Sequence, residues 1–365
     1  MSIQSTHRPG RPRPALSRRT LLTGTAAGAV GLSLAACGKS KKSASKADSK
    51  NVTVVTHDSF HVSDDLIKAF TSETGYTLKV ATSGDAGALV NKLVLTKDAP
   101  LGDAVFGIDN TYASRALDQG VIDTSATVTL PKGAESYVVA DTPALAPIDV
   151  GDVCLNIDTG YFTGKGLTPP ATFEDLTKPE YKGLLVAINP TNSSPGMAWL
   201  LATIGHFGAG SFAGYWKQLM ANGARIAEDW SAAYETDFSG SGKGTYPIVV
   251  SYASSPSFTV SKDKSTSSTS ALLDTAFRQV EYAGVLKDAA NPEGGRAFVK
   301  WMLSKAVQED IPGKMYMYPV LPDAALPEAL TKFGRLSKSP VKVDPKEITT
   351  HREEWLGTWT EAVGK

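Results

Sequence analysis

Cysteine is nearly absent from this chain. Its 365 residues include only two, Cys37 and Cys154. With Cys37 in a leader-like segment, Cys154 stands alone, which excludes a disulfide framework. Stability must come from a buried core, and the roughly 315 residues after position 50 are enough for two lobes. A good membrane span is also lacking. The apolar run from Leu21 to Ala36 has 16 residues and is interrupted by Thr23, Gly24, Thr25, Gly28, Gly31 and Ser33. A spanning helix needs about 20 mostly apolar residues. Net charge is zero, and no basic patch points to nucleic acid.

Acid is missing from residues 1–36, which carry Arg8, Arg11, Arg13, Arg18 and Arg19. The rest of the chain therefore carries about −5. The Ser/Lys-rich stretch 38–50 is about +4, which leaves residues 51–365 near −9, a mildly acidic body. The order Ser17-Arg18-Arg19-Thr20-Leu21-Leu22, apolar run, Leu34-Ala35-Ala36-Cys37 reads as an export signal. The arginine pair resembles a twin-arginine signal, and Leu-Ala-Ala-Cys resembles a bacterial lipoprotein box. The expectation is a signal over 1–36, lipidation of Cys37 and a flexible tether over 37–50. A bare signal or anchor is the alternative.

The body starts with a strand–helix alternation. Residues 52–56, 77–82 and 103–108 read as strands, and Asp64 to Gly75 and Ala88 to Leu95 as helices, the first capped by Ser63. This β-α-β-α-β order predicts a parallel sheet with right-handed crossovers. Ligands bind at the carboxyl ends of such strands, here His57 to Phe60, Ser83 to Gly87 and Asp109 to Thr111. A second α/β pattern begins near 148, with strands at 184–188 and 247–251 and a helix from Met197 to Phe207. Gly295 to Ser304 reads as helix and 315–320 as extended. Cys154 falls in a strand-like run, Asp152-Val153-Cys154-Leu155-Asn156, and is expected to be buried. Ser193 and Ser194 precede Pro195-Gly196 and a helix, where N–H groups and hydroxyls suit either an anion or simple capping.

Pro170-Ala171-Thr172-Phe173-Glu174-Asp175-Leu176, Asn189-Pro190 and Ser193-Ser194-Pro195-Gly196 resemble segments of ABC-importer solute-binding proteins. So does Gly295 to Pro319, with Phe298, Trp301, Ser304, Gln308 and Ile311. Within that superfamily, four segments are similar to thiamine-binding proteins. They are Thr56-His57-Asp58-Ser59-Phe60, Gly107-Ile108-Asp109-Asn110, Asp229-Trp230-Ser231-Ala232-Ala233-Tyr234 and Ser251-Tyr252-Ala253-Ser254-Ser255-Pro256. The likeness extends over nearly all of 51–365. It implies an α/β, two-lobed type II periplasmic-binding-protein fold with the ligand cleft between lobes. One lobe would comprise 51–147 and 253–313, the other 148–252 and 314–365. It further implies a lipid-anchored extracytoplasmic monomer that delivers thiamine and its phosphates to an importer permease, without catalysis, metal or cofactor.

The site residues implied by the resemblance are His57, Asp85, Ala86, Ser193, Ser194, Trp230, Tyr252, Ala253, Ser254 and Ser255. A thiazolium cation favours aromatic faces, here Trp230 and Tyr252. Asp85 would accept from the aminopyrimidine or balance the cation; Asp109 is a second candidate, with a turn role as its alternative. The serine clusters would meet the hydroxyl or phosphate arm. The chain departs from the family at His57 and Phe258, where tyrosine is usual, at Ala86, where glycine is usual, and in a short Phe60–Leu66 segment without tryptophan. Two other functions share the fold. A thiaminase-like enzyme would use Cys154 as nucleophile with Asp149 or Asp152 nearby. A binder of polyamine or ferric iron is the other; iron would call for paired tyrosinates, and Tyr316 and Tyr318 have the wrong local pattern.

Overall fold

The computed structural model describes residues 50–139, 142–241 and 243–364. The signal and Cys37 lie outside the described residues. Among the described residues no helix is long and apolar enough to cross a membrane.

The first half is built as β1 (Asn51–Thr56), α1 (Asp64–Thr74), β2 (Thr77–Thr82), α2 (Ala86–Leu95), β3 (Ala104–Asp109) and α3 (Ala113–Asp118). Strand β1 pairs in parallel with both β2 and β3, as the alternation requires. Every residue of β3 is buried, as befits a strand covered on both faces. Gly75 ends α1 in the left-handed conformation, φ 73°. Ser63 takes the N-cap position of α1 as expected, but its side chain bonds no helix N–H. Its hydroxyl donates instead to Asp310, 2.6 Å away.

A long strand, β4 (Leu145–Asp158), then enters the second half. There follow α4 (Thr159–Lys165), β5 (Leu185–Ile188), α5 (Ser194–Phe207), α6 (Phe212–Ala221), β6 (Arg225–Ala227) and β7 (Ile248–Tyr252). Helix α5 is apolar on all sides and buried from Ser194 to Ile204, so it fills the core of this half. Strand β8 (Thr269–Val285) returns to the first half, followed by α7 (Pro292–Met302), α8 (Lys305–Lys314), β9 (Tyr318–Pro319), α9 (Glu328–Phe333) and α10 (Pro345–Val363).

One sheet carries all nine strands in the order β2-β1-β3-β8-β4-β7-β5-β6, with β9 beside β4. The two lobes are therefore joined by a pair of long antiparallel strands, β4 and β8. Their ladder shifts register between Pro147 and Asp149 and between Val153 and Leu155. Such irregularities bend strands and raise their twist. Buried Cys154 lies in β4, packed with Ala253 and Ala276.

Candidate functional site

A cleft of about 350 Å³ opens where the two halves meet. The loop after β1 brings His57 to it, and the start of α2 brings Asp85 and Ala86. The start of α5 adds Ser194, the turn after β6 adds Trp230 and Tyr234, and the end of β7 adds Tyr252, Ser254 and Ser255. Glu281 of β8 and the α8–β9 segment 314–317 complete the wall. Two residues implied by the resemblance do not line it. Ser193 is fully buried and caps α5 by accepting from the Gly196 N–H; its hydroxyl also supports the Asp85 carboxylate. Ala253 is fully buried beside Cys154.

Trp230 and Tyr234 stack with ring centroids 5.0 Å apart and planes 11° apart. They sit one helical turn apart, on the entry to a π-helical turn, Ala232–Asp237. The Trp230 indole N–H donates to Ser251 Oγ at 3.0 Å, which holds the ring in place. Tyr252 is anchored through its hydroxyl to Gln279 Oε1 at 3.3 Å. Its ring and the Met317 side chain lie against the bare backbone of Gly151, where a Cβ would fall 2.7 Å from Met317 and 3.1 Å from Tyr252.

Asp85 sits at the head of α2. Its Oδ1 accepts from the Ala86 N–H at 2.6 Å and the Ser194 N–H at 3.2 Å. Burial pushes its carboxyl up, and the bonds from Ser193, Ala86 and Ser194 counter that only in part. Asp85 thus ties the start of α2 to the start of α5 as well as facing the cleft. Asp109 is shielded from the cleft. Its carboxylate accepts from the Thr111 hydroxyl and N–H at 2.7 and 2.8 Å, and the Ser194 hydroxyl donates to it. Burial, reinforced by Glu281 and Asp85, nevertheless raises its carboxyl to about 7. These bonds to Thr111 and Tyr112 are those of a turn-stabilising aspartate.

His57 is buried, with Nδ1 accepting from the Ser59 N–H at 3.1 Å. The neutral ring therefore carries its proton on Nε2, which lies 3.4 Å from Glu281 Oε1. Burial lowers its pKa, but Glu281, with Asp85 and Asp58 beyond, more than reverses this. Neither His57 Nε2 nor the buried Ser254 hydroxyl has a well-formed hydrogen bond. Ser255, by contrast, is spent on Ser251 at 2.9 Å. Buried polar atoms without partners are uncommon, and both of these belong to residues on the cleft wall.

Cys154 is absent from the cleft wall, and burial with Asp152 nearby pushes its thiol far up. That removes the nucleophile from the thiaminase-like reading. Asp152 is paired with Arg278 through two contacts, the second 3.1 Å long. Tyr316 borders the cleft, whereas the Tyr318 hydroxyl donates to the carbonyls of Leu330 and Gly334. Tyr316 and Tyr318 therefore do not converge on the cleft, and no group of three or more His, Cys, Asp or Glu side chains that could hold a metal ion occurs among the described residues.

Glu281, Tyr234, Lys314 and Met317 were not anticipated. Glu281 had the clearest available signal, a lone acid inside the apolar run Val280-Glu281-Tyr282-Ala283.

A family model described as bacterial extracellular solute-binding protein matches residues 103–333. The thiamine-binding periplasmic protein of Salmonella typhimurium is 27% identical over 324 residues, covering 86% of this chain and 94% of that protein. Its counterpart in Brucella melitensis is 26% identical over 360 residues, covering 95% and 99%. Among solved structures, a periplasmic thiamin binding protein superposes with a TM-score of 0.74 at 25% identity, covering 86% of this chain and 96% of its own.

Proposed function

Because the chain belongs to the bacterial extracellular solute-binding protein family, we propose that it captures thiamine outside the cytoplasm and delivers it to an ABC importer. The observation that carries this is the stacked Trp230–Tyr234 pair on the wall of an acid-rich cleft. Thiamine joins a thiazolium cation to a flat aminopyrimidine and a hydroxyethyl arm. A cation is attracted to the face of tryptophan more strongly than to other rings. Asp58, Asp85, Asp229, Glu235 and Glu281 border the cleft, against Lys314 as its lysine. That balance favours a positive ligand. The similarity to thiamine-binding relatives supports the same reading.

The hydroxyethyl arm, or a phosphate on it, is assigned to the side of Ser254 and Lys314, where a free hydroxyl and a cation lie. Delivery is by a lipid-anchored protein, with Cys37 as the acylated residue and the basic stretch 38–50 as its tether. Titration calorimetry of thiamine, thiamine monophosphate, spermidine and ferric citrate tests the proposal. Saturable, one-to-one binding of thiamine is expected. Tighter binding of spermidine or iron would refute it.

A further inference from the structure

Three carboxyl side chains lie side by side across the strands that join the lobes. Asp109 of β3 is the cross-strand partner of Glu281 of β8, and Glu281 is in turn the partner of Asp149 of β4. Directly opposed residues share a face of the sheet, so the three form a row with Glu281 at its centre. All are buried, Asp109 and Asp149 completely. Only Glu281 of the three borders the cleft.

The one side chain that can bring positive charge to the row among the described residues is His57, when protonated. Among the described residues, the ion-pair partner of Glu281 is His57, and no lysine or arginine comes within reach. The groups around it are His57 from the loop after β1, Asp109, Asp149, Asp85 at the start of α2 and Tyr252 at the end of β7. Gln279, two residues away on β8, adds one N–H at 3.4 Å.

The two flanking acids differ in their surroundings. Neither oxygen of Asp149 meets a protein donor. A buried carboxylate without donors does not keep its charge. Burial and the adjoining Glu281 accordingly hold the Asp149 carboxyl well above the usual range. As a neutral acid, Asp149 can donate its proton to Glu281. Asp109 has donors, but they come from Thr111, Tyr112 and Ser194 and turn it away from the cleft. Of the row, Glu281 is thereby the carboxyl side chain turned to the ligand space.

We propose that Glu281 is the residue that selects for positive charge in this cleft, acting as counter-ion to the ligand's cationic ring. The inference rests on the thiamine reading and deepens it. It makes Glu281 a specificity-determining residue and Asp149 a positioning residue that keeps the Glu281 carboxylate oriented.

The test compares thiamine with an analogue whose thiazolium is replaced by an uncharged ring of the same shape, using the full-length protein and calorimetry. Wild type is expected to prefer thiamine by roughly 30-fold or more, the scale of a desolvated charge pair. Glu281→Gln should abolish that preference by weakening thiamine while leaving the neutral analogue unchanged. Glu281→Asp, which keeps the charge, should retain part of it. Melting temperatures establish that each variant is folded. If Glu281→Gln does not fold, the wild-type preference and that of Glu281→Asp still decide: equal affinities for both ligands overturn the proposal. So do equal losses of both ligands in Glu281→Gln. A wild type that binds neither ligand overturns the thiamine reading and this inference with it. That outcome is distinct from binding without charge selection.

Discussion

Trp230 is the residue on which ligand affinity should depend most visibly. Its ring borders the cleft and is backed by Tyr234. Trp230→Ala should weaken thiamine binding by about 1–3 kcal/mol through lost cation–π attraction and stacking. Trp230→Phe should lose less. Calorimetry checks this, and an unchanged Kd would place Trp230 outside the contact. His57 and Asp109 set the pH dependence. Glu281 and its neighbours lift His57 above its ordinary range, and burial raises Asp109 to about 7. Protonating His57 adds positive charge beside a cation, and protonating Asp109 removes negative charge from behind the cleft wall, so thiamine affinity should fall as pH drops from about 8 to 6. The stability of the ligand-free protein should run the other way. Both groups have folded pKa values above their unfolded ones, so their contribution favours the fold at low pH and is lost as pH rises through about 7. Melting curves without ligand should therefore shift down over the interval in which thiamine Kd improves. His57→Tyr should flatten part of both trends. Parallel trends, or none, would contradict the assignment.

At the scale of elements, the loop after β1 depends on a glycine in the neighbouring strand. Gly107 adopts φ 97°, at a register shift in β3, and a Cβ there would fall 2.0 Å from His57 Cδ2. Gly107→Ala combines backbone strain of about 1–3 kcal/mol with expulsion of the imidazole from its place beside Glu281. A lower melting temperature together with loss of the pH dependence of binding is expected. An unaltered pH profile would show that His57 does not act where it stands. The strands of the first half were legible because β-branched runs such as Val52-Thr53-Val54-Val55-Thr56 have little alternative, whereas β8, Thr269–Val285, was not read from the sequence. Helix starts were less so. Helices α2, α5 and α7 each begin before the expected residue, because Asp85, Ser193 and Asn291 cap them from outside the apolar pattern. The cleft's aromatic and serine members stood in local motifs and could be read. Glu281 could not be placed, since its neighbours Asp109 and Asp149 are distant in sequence and meet it only through strand pairing. Asp85 and Ser193 were read as ligand contacts, while much of their hydrogen bonding goes to helix ends.

For the whole molecule, the division of labour is between a leader-like segment, residues 1–50, and a body that contains the cleft. Every residue bordering the cleft lies between His57 and Met317. Changing Cys37 to alanine should release the protein from membranes without altering its affinity for thiamine. Fractionation followed by a binding assay checks this. Retention in the membrane fraction would refute the lipid anchor, and altered affinity would mean the leader contributes to binding. The central claim concerns what fills the cleft, and it is tested most directly by native mass spectrometry of the full-length protein purified without unfolding. The predicted result is a one-to-one complex whose released ligand has the mass of thiamine or one of its phosphates. A different solute, retained through purification and not displaced by added thiamine, would contradict it.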